Sequence, residues 1–172
     1  MKFILPALSA LLLTAFAASG DDEYPVAVKS LPAAVPAAVQ EYFPGSEILS
    51  VTADEDDDRR VLDLRVEHKG VVLRMETRPD GRVREIDLDR GYGGLGALLG
   101  REASLETLSV EQLPSAVTAA LSDFFVETKI SGAAEGTNDE QKFYRVRLRR
   151  LSLTLRVDIT ADGRLLDIDT AN

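Results

Sequence analysis

The sequence contains no cysteine and only one histidine, His68. Without cysteine the chain can form neither a disulfide nor the lipidated residue that anchors an exported lipoprotein. The usual ligand sets of zinc and copper are also missing, so we expect no metal and no cofactor. Positive charge is scarce as well: 20 Lys and Arg stand against 29 Asp and Glu, a formal charge of −9. This balance argues against nucleic-acid binding, which depends on neutralising phosphates.

Long apolar runs are absent after the N-terminus, so no later segment is long enough to cross a membrane. At the N-terminus, Lys2 precedes an apolar run from Phe3 to Leu13, and the small residues Ala15 and Ala17 follow it. This order is typical of a secretory signal peptide. We predict a signal peptide over 1–19, cleaved after Ala17 or after Ser19. The mature protein is then periplasmic or secreted and has no stable membrane anchor.

The chain contains an internal repeat. The segment 31–45, LPAAVPAAVQEYFPG, returns as LPSAVTAALSDFF at 113–125, an offset of 113 − 31 = 82. The tripeptide Asp-Gly-Arg at 80–82 returns at 162–164 with the same offset, 162 − 80 = 82. This pattern predicts two units, 20–89 and 109–172, joined by a glycine-rich linker over 90–108. The linker lacks the GK[ST] sequence of a phosphate-binding loop.

Each unit begins with a helical pattern and continues with an alternating one. In the first unit the apolar residues at helical spacing are Val35, Ala38, Val39, Tyr42 and Phe43. Apolar and charged residues then alternate, which is typical of strands with one buried face. We therefore predict an α+β fold, a tandem repeat of one helix packed on a four-stranded antiparallel sheet. The last strand of the first unit breaks parity, which predicts a bulge near Arg84 or Glu85.

The charged residues of these strands include arginines that fall on the polar side of the predicted sheets. The candidate partner-binding residues are Arg65, Arg74, Arg145, Arg147, Arg149 and Arg156. Clustered guanidinium groups bind carboxylates or phosphates through paired hydrogen bonds. The alternative is an ordinary solvated sheet face, on which cross-strand acids neutralise these arginines.

Two further features suggest chemistry only weakly. The acidic run from Asp54 to Asp58 resembles a calcium-binding segment in composition, but it lacks the glycine and glutamate spacing of an EF-hand loop. A solvated turn is the simpler interpretation, with weak calcium binding left open. His68 stands beside Lys69 and Gly70, and we expect it to be exposed in a turn. No nucleophile motif accompanies it, so we predict no catalysis.

The repeated motif resembles the PepSY-like domains of secreted bacterial proteins, which are similar to beta-lactamase-inhibitor protein. In the first unit the matching residues are Leu31, Pro32, Phe43, Pro44, Gly45, Asp80, Gly81 and Ile86. The second unit has Val126 and Glu127 in place of Pro-Gly. The resemblance implies a tandem helix-on-sheet fold, export to the periplasm and no catalysis.

The export signal, the repeat and the resemblance together lead to one functional expectation. We expect an exported, non-catalytic binding or inhibitor-like module whose polar sheet faces contact a protein or peptide partner. The alternative is a structural or stress-related envelope protein without a specific ligand.

Overall fold

A computed structural model of the chain describes residues 23–56, 59–89, 105–138 and 141–171. The predicted signal peptide and most of the predicted linker lie outside these residues. Within them the fold is α+β and consists of two α-helices and two antiparallel sheets of five strands each.

The two halves of the chain have the same order of elements. The first half contains β1 (Tyr24–Pro25), a 3-10 turn (Val28–Ser30), α1 (Ala34–Tyr42), β2 (Glu47–Asp56), β3 (Arg59–His68), β4 (Val71–Thr77) and β5 (Val83–Leu88). The second half contains β6 (Leu105–Leu108), a 3-10 turn (Val110–Gln112), α2 (Ser115–Phe124), β7 (Lys129–Asn138), β8 (Gln141–Arg150), β9 (Leu153–Thr160) and β10 (Leu165–Thr170). The sheet orders are β1-β2-β3-β4-β5 and β10-β9-β8-β7-β6.

Each sheet has one strand more than the sequence predicts. In the first half β1 pairs with β2 through Tyr24 and Ala53. In the second half β6 pairs with β7 through Thr107 and Ala134, although β6 lies inside the predicted linker. Strands of two and four residues are too short to show an alternating pattern. The prediction of four-stranded sheets is therefore only roughly matched.

Strand β2 also runs further than the sequence predicts. It ends at Asp56, so it contains most of the acidic segment that we interpreted as a turn. The register with β3 continues from Asp54 opposite Val61 to Asp56 opposite Arg59. Backbone hydrogen bonds hold this ladder, and they do not depend on side-chain charge. Asp57 and Asp58 lie outside the described residues.

The irregularities of the two sheets recur at the same offset of 82. The register of β2 shifts between Ile48 and Ser50, and that of β7 shifts between Ile130 and Gly132. The bulge predicted near Arg84 or Glu85 is confirmed, because the pairing of β5 with β4 skips Arg84. The equivalent shift in β10 lies between Leu165 and Asp167. The two halves therefore share backbone details as well as elements.

The helices pack on one side of the sheets and bury the predicted apolar stripes. The stripe residues of the first half are all buried: Val35, Ala38, Val39, Tyr42 and Phe43. Both halves contribute to a single apolar core. The C-terminal ends of the helices meet there, since the Phe43 ring lies 6.3 Å from that of Phe124 and 6.4 Å from that of Phe125.

His68 belongs to this core, so the expectation of an exposed turn histidine is wrong. It is the last residue of β3 and only 2% exposed. Its ring lies 5.3 Å from that of Phe43 and 5.0 Å from that of Phe124. Nε2 donates a hydrogen bond to the Phe124 carbonyl at 3.1 Å. Burial lowers the pKa of the imidazole. The helix of the other half covers this residue, which local sequence does not reveal.

The two sheets meet along β5 and β10. The Ile86 N–H donates to the Thr170 hydroxyl at 2.8 Å, and that hydroxyl donates to the Ile86 carbonyl at 3.3 Å. A side chain therefore takes the place of a backbone partner at this contact, which we call the seam. The seam places the polar faces of the two sheets next to each other, on the side opposite the helices.

Candidate functional site

All six candidate arginines lie on this polar side of the sheets. Arg65 of β3 faces Arg74 of β4 across the strands, and Arg147 of β8 faces Arg156 of β9. Arg145 and Arg149 flank Arg147 at two-residue spacing on the same strand. The inward-pointing residues between them, Val146 and Leu148, are fully buried. Alternation thus predicts the positions of the arginines, and their role in binding stays a prediction.

Four of the six arginines have a carboxylate partner on the same surface. Arg65 Nε lies 2.6 Å from Asp89. Arg74 Nε donates to both oxygens of Asp63, at 2.8 and 2.9 Å. The remaining pairs are Arg145 with Asp158, at 2.7 and 2.8 Å, and Arg156 with Asp169. The hydrogen bonds to Asp63 and to Asp158 raise the pKa of Arg74 and Arg145 further above its ordinary value.

Arg147 and Arg149 differ from these four. Both are exposed, and neither has an ion-pair partner in the parts of the chain that the structure describes. Arg149 faces Lys129 on one neighbouring strand and Thr154 on the other, so a further positive charge stands beside it. Guanidinium groups without a partner keep all their donors available to a ligand.

Within the described residues, two of the grooves on the polar side are similar in size and lie at equivalent places on the two sheets. The first has a volume of about 580 Å³ and is lined by Glu23, Ser50, Thr52, Asp63, Arg65, Arg74 and Asp89. The second has a volume of about 540 Å³, and its lining includes Gly132, Ala134, Arg145, Arg147, Leu105 and Leu108. Both volumes fall within the ~300–1,000 Å³ range of ligand sites in proteins.

A third feature of this side is a group of acids at the seam. Carboxylate oxygens of Glu85, Asp87 and Asp169 all lie within 4.8 Å of one another. Asp169 is paired with Arg156, whereas Arg74, which faces Asp87, is held by Asp63. Burial and the neighbouring Glu85 charge raise the pKa of Asp87 to about 6, although the Thr170 N–H opposes this. We interpret this group as a cluster of like charges that repel one another.

We predict that Asp87→Asn stabilises the protein at neutral pH. The folded-state pKa, about 6, is raised above the ordinary value of 3.8, so the fold favours protonated Asp87. The stabilisation that comes from protonated Asp87 is fully present below pH 3.8, and it is lost as the pH rises through about 6. Urea unfolding at pH 7.5 should show a gain of about 1–2 kcal/mol, reduced from the full shift for solvent screening. At pH 4 the gain should nearly vanish.

Asp169→Asn is the matched control for this prediction, because 169 − 87 = 82 makes the two positions equivalent. Asp169 has an arginine partner, so its neutralisation should lower the free energy of unfolding at pH 7.5 by up to about 1 kcal/mol. Equal effects of the two substitutions would contradict the assignment of unrelieved charge to Asp87.

Comparison with known proteins leaves the family of this chain open. No family model matches the chain, and no curated protein matches it. The PepSY-like resemblance therefore stays a prediction.

Similar solved structures come from species of Bacteroides. One is a candidate calcium-regulated periplasmic protein of Bacteroides thetaiotaomicron, 15% identical, covering 86% of this chain and 97% of that chain with a TM-score of 0.34. Another is a candidate periplasmic protein of Bacteroides eggerthii, 15% identical, covering 81% and 88% with a TM-score of 0.34. A DUF2874 family protein of Bacteroides uniformis is 15% identical and covers 81% and 88% with a TM-score of 0.32. At this level of similarity, we transfer no property from those proteins to this chain.

Within the described residues, neither helix is long and apolar enough to cross a membrane.

Sequence reasoning did not identify the acidic seam or the contacts of His68. A usable signal existed for the first, since Asp87 and Asp169 occupy equivalent positions in the closing strands. The contact between β5 and β10 brings these two positions close together. Which edge each copy presents to the other is a tertiary property.

Proposed function

We propose that this protein is an exported, non-catalytic binding module that contacts a protein or peptide partner with the polar side of its second sheet. The observation that carries the proposal is the availability of Arg147 and Arg149, which are exposed and have no ion-pair partner within the described residues. The four other arginines are paired with carboxylates of the same sheet face or of the seam. The proposed export rests on the N-terminal signal-peptide pattern.

The shape of the molecule supports this choice of side. The helices cover the opposite side of the sheets and bury the apolar residues there. The polar side contains the second groove, with Arg147 in its lining, and the exposed Arg149. A charged rim beside small and apolar residues is typical of protein interfaces, in which arginine is enriched.

Site-specific photo-crosslinking in the exporting cell tests this proposal. A photoreactive amino acid at Ser131 or Thr154 lies on the proposed side, and one at Ala119 on the exposed surface of α2 is the control. We expect discrete crosslinked adducts from the first two positions and none from Ala119. Adducts from Ala119 alone, or adducts that persist unchanged in the double variant Arg147→Glu, Arg149→Glu, would show that the proposed side is wrong.

A structural envelope protein without a specific ligand is the second candidate. The observation in its favour is that most of the sheet arginines are already neutralised within the molecule. This candidate predicts no discrete adduct from any of the three positions.

A further inference from the structure

The two halves of the protein allow an internal comparison of their grooves. Lining residues of the first groove have direct equivalents in the second at the offset of 82. Ser50 corresponds to Gly132, Thr52 to Ala134, Asp63 to Arg145 and Arg65 to Arg147. Each replacement on β7 shortens a side chain, and the replacement of Asp63 reverses a charge. The second groove therefore has smaller side chains along β7 and more positive charge along β8.

The most informative difference concerns the ion-pair partner of Arg65 and of its equivalent, Arg147. In the first half Asp89 neutralises Arg65 at 2.6 Å. The position equivalent to Asp89 is Ala171, since 89 + 82 = 171. The backbone geometry is the same, because the Asp89 N–H donates to the Val72 carbonyl at 3.0 Å and the Ala171 N–H donates to the Thr154 carbonyl at 2.8 Å. At the position where Asp89 offers a carboxylate to Arg65, Ala171 therefore offers only a methyl group to Arg147.

The outward side of β8 is also more positive than that of its equivalent, β3. The outward residues Asp63, Arg65 and Glu67 of β3 correspond to Arg145, Arg147 and Arg149 of β8. The strand triplet changes from one positive and two negative charges to three positive charges. Of the three arginines, Arg145 is held by the buried Asp158.

We infer that the second groove and the strand beside it bind the carboxylate side chains of an acidic, extended segment of the partner. The binding residues are Arg147, which lines the groove, and the exposed Arg149, which lies two residues further along β8 outside the groove lining. This inference rests on the proposed function and names the partner's chemistry. Side chains at i and i+2 on a strand stand roughly 6.6–6.8 Å apart, the same spacing as acids at alternate positions of an extended peptide. Two guanidinium groups at this spacing can each take one carboxylate through paired hydrogen bonds. The rest of the molecule is acidic, so binding depends on this local charge.

Fluorescence anisotropy with a defined probe tests the inference. The probe is a labelled peptide of about ten residues with glutamate at alternate positions, and its control carries glutamine at the same positions. The wild-type protein should bind the glutamate peptide at least about tenfold more tightly than the glutamine peptide at low salt. Ala171→Asp should weaken that binding by about tenfold, because it gives Arg147 the internal partner that Asp89 gives Arg65.

Two controls separate charge from packing. Ala171→Asn has nearly the same shape without the charge and should bind within about twofold of the wild type. The thermal midpoints of both Ala171 variants should match the wild type, which shows that the fold is intact. Equal binding of the two peptides, or unchanged binding by Ala171→Asp, would overturn the inference.

The source of the negative charge is tested in the same experiment. Vesicles of phosphatidylglycerol and phosphatidylcholine replace the peptide in a parallel measurement. Vesicle binding that is sensitive to Ala171→Asp, without peptide binding, would assign the groove to a membrane surface and overturn the inference. If polar-side crosslinks form while glutamate and glutamine peptides bind alike, the inference fails and the proposed function stands.

Discussion

Replacement of Arg150 by methionine is expected to lower the free energy of unfolding by about 3 kcal/mol. Arg150 ends β8 and is only 6% exposed. Its guanidinium donates to the Glu41 carbonyl at the C-terminus of α1 and to the Val126 carbonyl beyond α2. It also lies 5.8 Å from the centre of the Tyr42 ring. Methionine fills a similar volume but leaves both part-buried hydrogen bonds without their donor.

The position of Arg150 explains why its loss should affect the whole molecule. The last carbonyls of a helix have no partner inside the helix and favour a positive charge. Arg150 supplies a hydrogen-bond donor and a positive charge to the helix of the other half, across 109 residues of sequence. The equivalent residue, His68, donates a hydrogen bond to the Phe124 carbonyl of α2, and 150 − 68 = 82. Each half therefore caps the helix of the other.

Urea unfolding followed by circular dichroism measures this effect. Arg149→Ala is the matched control, since Arg149 is the next residue along the strand and points to solvent. Its substitution should change the free energy of unfolding by no more than about 0.5 kcal/mol. The expected loss for Arg150→Met corresponds to a fall of roughly 6–12 °C in thermal midpoint. A loss below about 0.5 kcal/mol would show that Arg150 does not join the halves.

Replacement of Gly81 by alanine is the second change with a large expected effect, again about 3 kcal/mol. Gly81 has a φ of +83°, which favours glycine. A Cβ atom there would lie 2.6 Å from the Ala34 carbonyl oxygen and 3.2 Å from the Ala34 Cβ. The turn between β4 and β5 thus packs directly against the first residue of α1. Alanine adds a steric clash with backbone to the cost of the left-handed conformation.

Gly70→Ala separates these two contributions. Gly70 has a φ of +78°, and a Cβ atom there would meet nothing within 4 Å. Its substitution should cost only the conformational term, about 1 kcal/mol. The difference between the two variants in urea unfolding then measures the contact with α1. Equal losses would mean that the hairpin moves away from the helix without cost.

Sequence alone predicts the local structure of this protein well where a period is visible. The apolar stripe of α1, the alternation along β3 and β8, and the bulge at Arg84 all follow from the spacing of a few neighbouring residues. These features depend on which side of one element is apolar, and the sequence states this directly. The short strands β1 and β6 have too few residues to carry a period, and their pairing depends on the edge beside them.

The sequence also contains, in its repeat, the information that the two polar faces are not alike. Asp63, Glu67 and Asp89 become Arg145, Arg149 and Ala171 in the second half. Only the structure shows that Asp89 is the partner of Arg65, because the two residues are 24 positions apart on different strands. Without that contact, Ala171 is an ordinary residue near the end of the chain.

By itself, the sequence determined the α+β architecture, the equivalence of the two halves and the polar side on which the six arginines lie. The tertiary structure decided which of those arginines have an ion-pair partner within the described residues and where the halves touch. It also decided that His68 and Arg150 are buried caps rather than surface residues. The physical reason is that periodicity reports burial within one element, whereas ion pairs, helix caps and the seam between β5 and β10 join residues far apart in the chain.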